Sequence, residues 1–186
     1  LKRDNYLNMI LKFKLLGLFI FFVFNNYFTQ DYHQRDLITY DTSNLTFLRK
    51  NLQPVNGIVY CDYGDIGNFV QGKREGRHKE WFENGQLRGD WNFENGLAEG
   101  FIIRRFDNWQ IQSELNYNNG KLNGMAKSWY RSGELRAITN FSMGKLDGNN
   151  KFWHKNGSLM MICNYKKGKL IDENCWDING QEINCN

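Results

Sequence analysis

Histidine is scarce in this chain and cysteine nearly so: 186 residues hold three of one and four of the other. The histidines are scattered, and cysteines at 61, 163, 175 and 185 match no zinc-ligand spacing, so a metal site is not expected. Long basic runs are also missing. Of 24 basic and 20 acidic residues, Lys2, Arg3, Lys12, Lys14 and Asp4 lie in the first 30, leaving 20 basic against 19 acidic from Asp31 onward. A near-neutral body without a basic stripe does not track phosphates, which excludes nucleic acid as the expected partner. Catalytic sets are lacking as well. There is no Ser/His/Asp or Cys/His arrangement and no pair of carboxylates, and Gly64-Asp65-Ile66-Gly67 is too short and too poor in helix context to cradle a phosphate. His78 and Glu80 share a strand face, but His78 has no counterpart in related segments and reads as a solvated strand position. The expectation is no enzyme, with no catalytic, cofactor-binding or metal residues.

What is present is a packable composition, 41% hydrophobic and 16% aromatic, enough for one folded domain. Residues 1–30 read as a signal-peptide-like segment. Met9 is the expected start, Lys12 and Lys14 supply a basic flank, and Leu15 to Phe24 form an apolar run too short to span a bilayer. Cleavage is expected near Thr29 or Gln30, placing the mature chain in the periplasm, in the medium or at the cell envelope; a cytoplasmic chain is the alternative. Export puts the cysteines in an oxidising compartment. Cys175 and Cys185 flank an Asn179-Gly180 turn and are candidates for a disulfide, although a two-residue turn sets 175 opposite 184, so the pair needs a bulge or a longer loop. Cys163 falls on a recurring apolar position and reads as a small core residue.

From Gly72 to Lys167 the chain is one 24-residue unit repeated without insertions: copies 72–95, 96–119, 120–143 and 144–167. A leader covers 31–53, a shortened copy 54–71, and a degenerate cap 168–186, so the array spans 54–186. Such a period marks supersecondary units that bury their apolar sides only against their neighbours. Within each copy, positions 16, 18, 20 and 22 alternate with mostly polar residues, as in Leu87, Gly89, Trp91, Phe93 and in Leu159, Met161, Cys163, Tyr165; period two means a strand with one buried face. Asn84-Gly85 and Asn156-Gly157 are two-residue hairpin signals of the type I′ kind, and glycines 96, 120, 144 and 168 mark a second turn. The expected fold is all-β, an elongated antiparallel meander of β-hairpin repeats.

A two-residue first turn pairs position 11 with position 16: Phe82 with Leu87, Phe106 with Ile111, Tyr130 with Leu135, His154 with Leu159. Leucines and phenylalanines then form the core, and Lys79, Lys127 and Lys151 share the open face with Trp81, Trp129 and Trp153; a three-residue turn with a bulge reverses this register. In the first register Trp81 lies across from Arg88 and Trp129 across from Arg136. Trp81, Arg88, Trp129, Arg136 and Trp153 are then either cation–π pairs covering the sheet, at about 0.5–1 kcal/mol each, or an interaction strip of flat aromatics.

The unit Gly-Lys-x-x-Gly-x-x-Lys-x-Trp-Tyr/Phe-x-x-Gly-x-Leu, with an aromatic at position 22, resembles the variant MORN repeat that builds proteins named as antitoxins of the YwqK family in bacteria. The resemblance implies a binding array without a catalytic centre. It implies a non-enzymatic scaffold for a protein or envelope component, or an antitoxin-like neutraliser of a toxin. Glycan or membrane-surface contact is a further alternative, the last with little electrostatic support from a near-neutral body.

Overall fold

A computed structural model describes residues 30–40 and 44–185. The signal-like segment and the expected start at Met9 lie outside the described residues. One compact unit, Tyr32–Asn186, holds the array.

Fifteen strands form one sheet, and from Gly57 onward successive strands pair antiparallel. The shortened copy gives the hairpin Gly57–Cys61/Gly64–Val70. Copy 1 gives Lys73–Trp81/Leu87–Glu94 and copy 2 gives Leu97–Arg105/Ile111–Asn118. Copies 3 and 4 repeat the pattern with Gly124–Trp129/Leu135–Ser142 and Gly148–Trp153/Leu159–Lys166. The cap supplies Lys169–Trp176 and the short edge strand Glu182–Ile183. The leader is folded. Tyr32–His33 adds a parallel edge against Val59 and Tyr60, and the hairpin Leu37–Tyr40/Leu45–Leu48 packs Leu37 and Leu48 into a cluster with Val55, Val59 and Phe69. This covers one face of the sheet at its first end.

The type I′ turn expected at Asn84-Gly85 is found instead at the copy boundary. At the copy boundary both residues have positive φ, as at Asn95-Gly96 (52° and 84°) and Lys167-Gly168 (51° and 83°), the signature of a type I′ turn. At Asn84-Gly85 only the glycine does. The Phe82 N–H donates to Gln86 O at 2.8 Å and the Gly85 N–H to Phe82 O at 2.9 Å, closing a three-residue loop, while Asn84 Oδ1 accepts from the Gln86 N–H at 3.1 Å. Asn-Gly suits both arrangements, since Asn tolerates helical or left-handed backbone and Gly supplies the left-handed residue in each.

The three-residue loop reverses the expected register. Trp81 pairs with Leu87, Arg105 with Ile111, Trp129 with Leu135 and Trp153 with Leu159, each beside a bulge. Phe82, Phe106, Tyr130 and His154 sit at the loop bases instead. The bulge absorbs one residue and restores the parity beyond it, so positions 18, 20 and 22 keep the buried face while the position-16 residues move to the Lys and Trp side. The core row is positions 7 and 20: His78 with Trp91, Ile102 with Leu115, Ala126 with Thr139, Asn150 with Cys163. His78, Ile102, Ala126, Asn150 and Cys163 are all buried, Ile102 completely. The row beside it sets a position-5 glycine across from each position-22 aromatic, as in Gly76 with Phe93. A Cβ at Gly76 or Gly100 meets nothing within 4 Å; the φ of 70° and 78° requires glycine there, not the space.

Each copy is closed by a bond that recurs with the unit, and further bonds tie it to the next hairpin. The position-4 side chain accepts the backbone N–H that closes its own copy: Glu75 from Asn95 at 2.9 Å, Glu99 from Asn119 at 2.8 Å, Asn123 from Met143 at 3.2 Å, Asp147 from Lys167 at 3.3 Å. At the other end Tyr130 Oη donates to Trp153 O at 2.8 Å, and His154 Nε2 lies 3.0 Å from Trp176 O in the next hairpin. In the cap, Cys175 and Cys185 form a disulfide with Cα atoms 5.4 Å apart; a three-residue loop again sets the register, with Cys175 opposite Ile183.

Candidate binding faces

Alternation sorts the array into two faces. The aromatic face carries positions 5, 7, 9, 18, 20 and 22, and the Lys–Trp face carries positions 6, 8, 10, 16, 19 and 21. On the aromatic face His78 meets Phe69 and Phe93 edge-on, each with ring centroids 5.1 Å away, and Trp91 stacks beside Phe93 at 6.2 Å. Arg74 lies over Phe93 and Arg104 over Trp91, at 5.1 and 5.8 Å. The Glu80 carboxylate accepts from Arg88 and from Arg104, both at 3.2 Å. Arg74, His78, Glu80, Trp91 and Arg104 line a groove of about 970 Å³ together with the leader's His33 and Arg35.

His78 is therefore a buried residue and not a solvated strand position, because the bulge between Gly67 and Asn68 brings Phe69 against it from the preceding hairpin. Its ring lies 2.7 Å, at Nε2, from the Asn68 carbonyl; the neutral tautomer donates there and leaves Nδ1 without a partner. Loss of water pushes the imidazole below its ordinary range and nearby Arg74 adds to this, while the Asn68 carbonyl opposes it. The unfolded chain thus binds more protons than the folded one below pH about 6.5. Stability is fully present above that value and falls as pH drops, by up to about 1.4 kcal/mol per pH unit until the folded-state value is reached. Urea midpoints at pH 7.5 and 5.5 should separate more widely for the natural chain than for His78→Phe; equal separations would refute the assignment.

The Lys–Trp face is held by polar contacts at its first end. Lys79 Nζ donates to Asp65 at 2.7 Å and thereby holds that carboxyl below the usual range. Arg77 Nε donates to Asp90 Oδ1 at 2.8 Å. Trp81 Nε1 donates to Asp65 O at 3.0 Å, with its ring against Gly64. Trp81, Trp129 and Trp153 share this face and are half-buried. Arg88 and Arg136 do not lie across from the tryptophans. As the extra residues of their bulges they turn to position-11 rings, Arg88 over Phe82 at 5.4 Å and Arg136 over Tyr130 at 6.0 Å.

Of the five large exposed apolar residues in the full copies, three belong to copy 2, and Met143 at the end of copy 3 is 51% exposed. Leu97 is 44%, Phe101 59% and Trp109 58% exposed, and Met125 of copy 3 is 52% exposed. Phe101 and Met125 both occupy position 6, one on each side of the strand that carries Asn116. Trp109 holds φ 68° at the place where the other copies have glycine. Repeat alignment shows this departure in the sequence, but exposure needs the strand pairing.

A second pocket, about 510 Å³, opens at the loop ends of copies 2, 3 and 4. Phe106, Trp129, Tyr130, Phe152 and Met160 are its apolar lining; Arg131, Arg136 and Lys155 are its polar lining. Arg131 is ion-paired with Asp107. Among the described residues, Arg136 and Lys155 have no carboxylate partner. Cys61 and Cys163 are free thiols, and burial pushes the Cys163 thiol up. Among the described residues no group of three or more His, Cys, Asp or Glu is placed to hold a metal ion, and no helix is long and apolar enough to cross a membrane.

The family model described as MORN repeat variant matches residues 74–95 and 146–167, which fall in the first and fourth full copies. A search of the curated proteins finds no match.

Proposed function

The chain carries variant MORN repeats, and on that premise we propose that it is an exported, non-enzymatic scaffold that binds a protein partner through the Lys–Trp face at copy 2. The observation that carries this reading is the departure of copy 2 from the other copies: an exposed, left-handed Trp109 in its loop, with Phe101 exposed on its strand and Met125 exposed on the next hairpin. Copies 1, 3 and 4 have lysine where copy 2 has Leu97, and glycine where it has Trp109. Folding does not need the copy-2 residues, since three copies adopt the same hairpin without them. A left-handed non-glycine residue costs about 1–2 kcal/mol, and an aromatic held there in the open is a contact residue retained against stability. A protein counter-surface with apolar side chains fits an exposed Phe, Met and Trp better than a sugar or an anionic membrane does.

The test uses the tagged chain in cells that produce it naturally, with a photo-crosslinking residue at position 125. A partner crosslinked there should be lost with Phe101→Asp, an exposed change expected to move stability by no more than about 0.5 kcal/mol. It should bind more weakly to Trp109→Gly, which should itself gain about 1 kcal/mol by removing the strain. Undiminished capture by both variants would sink the proposal. Fractionation with N-terminal sequencing tests export separately. A chain beginning near Gln30 outside the cytoplasm supports it, and an unprocessed cytoplasmic chain turns the reading toward an antitoxin-like neutraliser.

A further inference from the structure

Repeated copies act as controls for one another, and one comparison isolates a missing charge. Position 17 is arginine in copies 1 and 3, and each guanidinium lies over its own copy's position-11 ring. Position 9 differs. In copy 1 it is Glu80, paired across the hairpin with Gly89, and its carboxylate binds Arg88 and Arg104. In copy 3 it is Ser128, paired in the same way with Ala137. The neighbour across the next strand, Arg104 beside Gly89, is replaced by Phe152 beside Ala137. Arg136 therefore has the setting of Arg88 without its carboxylate. A second cation joins it: Lys155 Nζ lies 5.9 Å from the centre of the Tyr130 ring that Arg136 covers at 6.0 Å. No carboxylate lines the pocket.

The geometry points to an acidic peptide segment of a partner protein as the occupant of this pocket, one carboxylate bound by Arg136 and Lys155 where Glu80 stands in copy 1, and a neighbouring apolar side chain over Phe152 and Met160. A guanidinium offers a carboxylate two parallel N–H donors, and the ammonium adds a third. Cations of one sign with no internal counter-charge select an acidic partner and speed its approach. The apolar lining provides the surface that a free acetate or chloride ion does not use. Of the pocket's lining only Trp129 belongs to the Lys–Trp face, and Phe101 is not among the lining residues, so the inference stands or falls independently of the Phe101 surface.

The probe is a dye-labelled Ac-Glu-Phe-Glu-Phe-Glu-amide, compared with the same peptide carrying Gln for Glu, titrated by fluorescence anisotropy at low and high salt. The acidic peptide should bind at least about tenfold more tightly than the neutral one, with salt reducing the difference. Arg136→Gln should weaken it about tenfold. Lys151→Gln, an exposed lysine on the opposite face, should leave it unchanged. Ser128→Glu supplies the missing carboxylate from within and should lower binding at least about tenfold without lowering the thermal midpoint. Equal binding of the two peptides, no binding of either, or equal loss with Lys151→Gln and Arg136→Gln would overturn the inference. So would a folded Ser128→Glu variant that binds like the natural chain. If circular dichroism shows that variant unfolded, the Arg136→Gln and Lys151→Gln comparison decides.

Discussion

Replacing Ile102 by Ala is expected to lower the stability of the array by about 3 kcal/mol, within the range for a fully buried aliphatic side chain cut back to a methyl. Ile102 has no exposed surface and sits in the central core row, paired with Leu115. A single-layer array has few such residues; the fully buried large side chains elsewhere in the full copies are Asn150 and Cys163. In a quasi-one-dimensional stack each copy is stabilised by its neighbours, so a weak link in copy 2 should be felt on both sides. Urea unfolding should show a lower midpoint with an unchanged slope. Amide exchange in copies 1 and 4 should lose protection together. A loss confined to residues 96–119 would mean that the hairpins fold as separate units. Leu135 is the poorer place for this test: it is half-buried on the Lys–Trp face beside Trp129.

Gly67→Ala should cost about as much, for a different reason. A Cβ there would lie 2.6 Å from His78 Cγ, and φ is 148°, a conformation that L side chains rarely adopt. The imidazole has nowhere to go, because Phe69 and Phe93 hold its two edges. Overpacking of a tight site costs about 1–3 kcal/mol and the backbone adds roughly 1–2, for a total near 3 kcal/mol or more. The paired change Gly67→Ala with His78→Ala relieves the contact but not the backbone. A double-mutant cycle should therefore show coupling of at least about 1 kcal/mol. Simple additivity would mean that the ring and the glycine do not press on each other.

Much of this molecule is written locally. The 24-residue period, the two turns per unit, the strand alternation and the burial of positions 18, 20 and 22 follow from residues close in the chain, because turn chemistry and period-two patterning act over a few residues. Cys163 in the core is legible for the same reason. The binding surfaces were only partly legible. Aligned copies bring Trp81, Trp129 and Trp153 to one face, and the alignment also displays Ser128 where copy 1 has Glu80. That Arg88 and Arg136 turn away from those tryptophans is not visible, since it depends on a bulge.

The sequence by itself determined that this is an array of hairpins and which positions alternate along each strand. Tertiary structure alone decided how the two strands of each hairpin meet. Asn84-Gly85 satisfies a two-residue and a three-residue loop almost equally, and one residue of difference moves Leu87, Leu135 and Leu159 to the other face. The balance is struck by contacts made beyond the hairpin, such as Tyr130 reaching the Trp153 carbonyl 23 residues away and Trp81 closing over Gly64 of the preceding hairpin. Likewise His78 is buried because Phe69 and Phe93 arrive from adjacent strands. Local preference sets the menu of turns, and packing between neighbours selects from it, because the energy that separates the choices exists only once the copies are stacked.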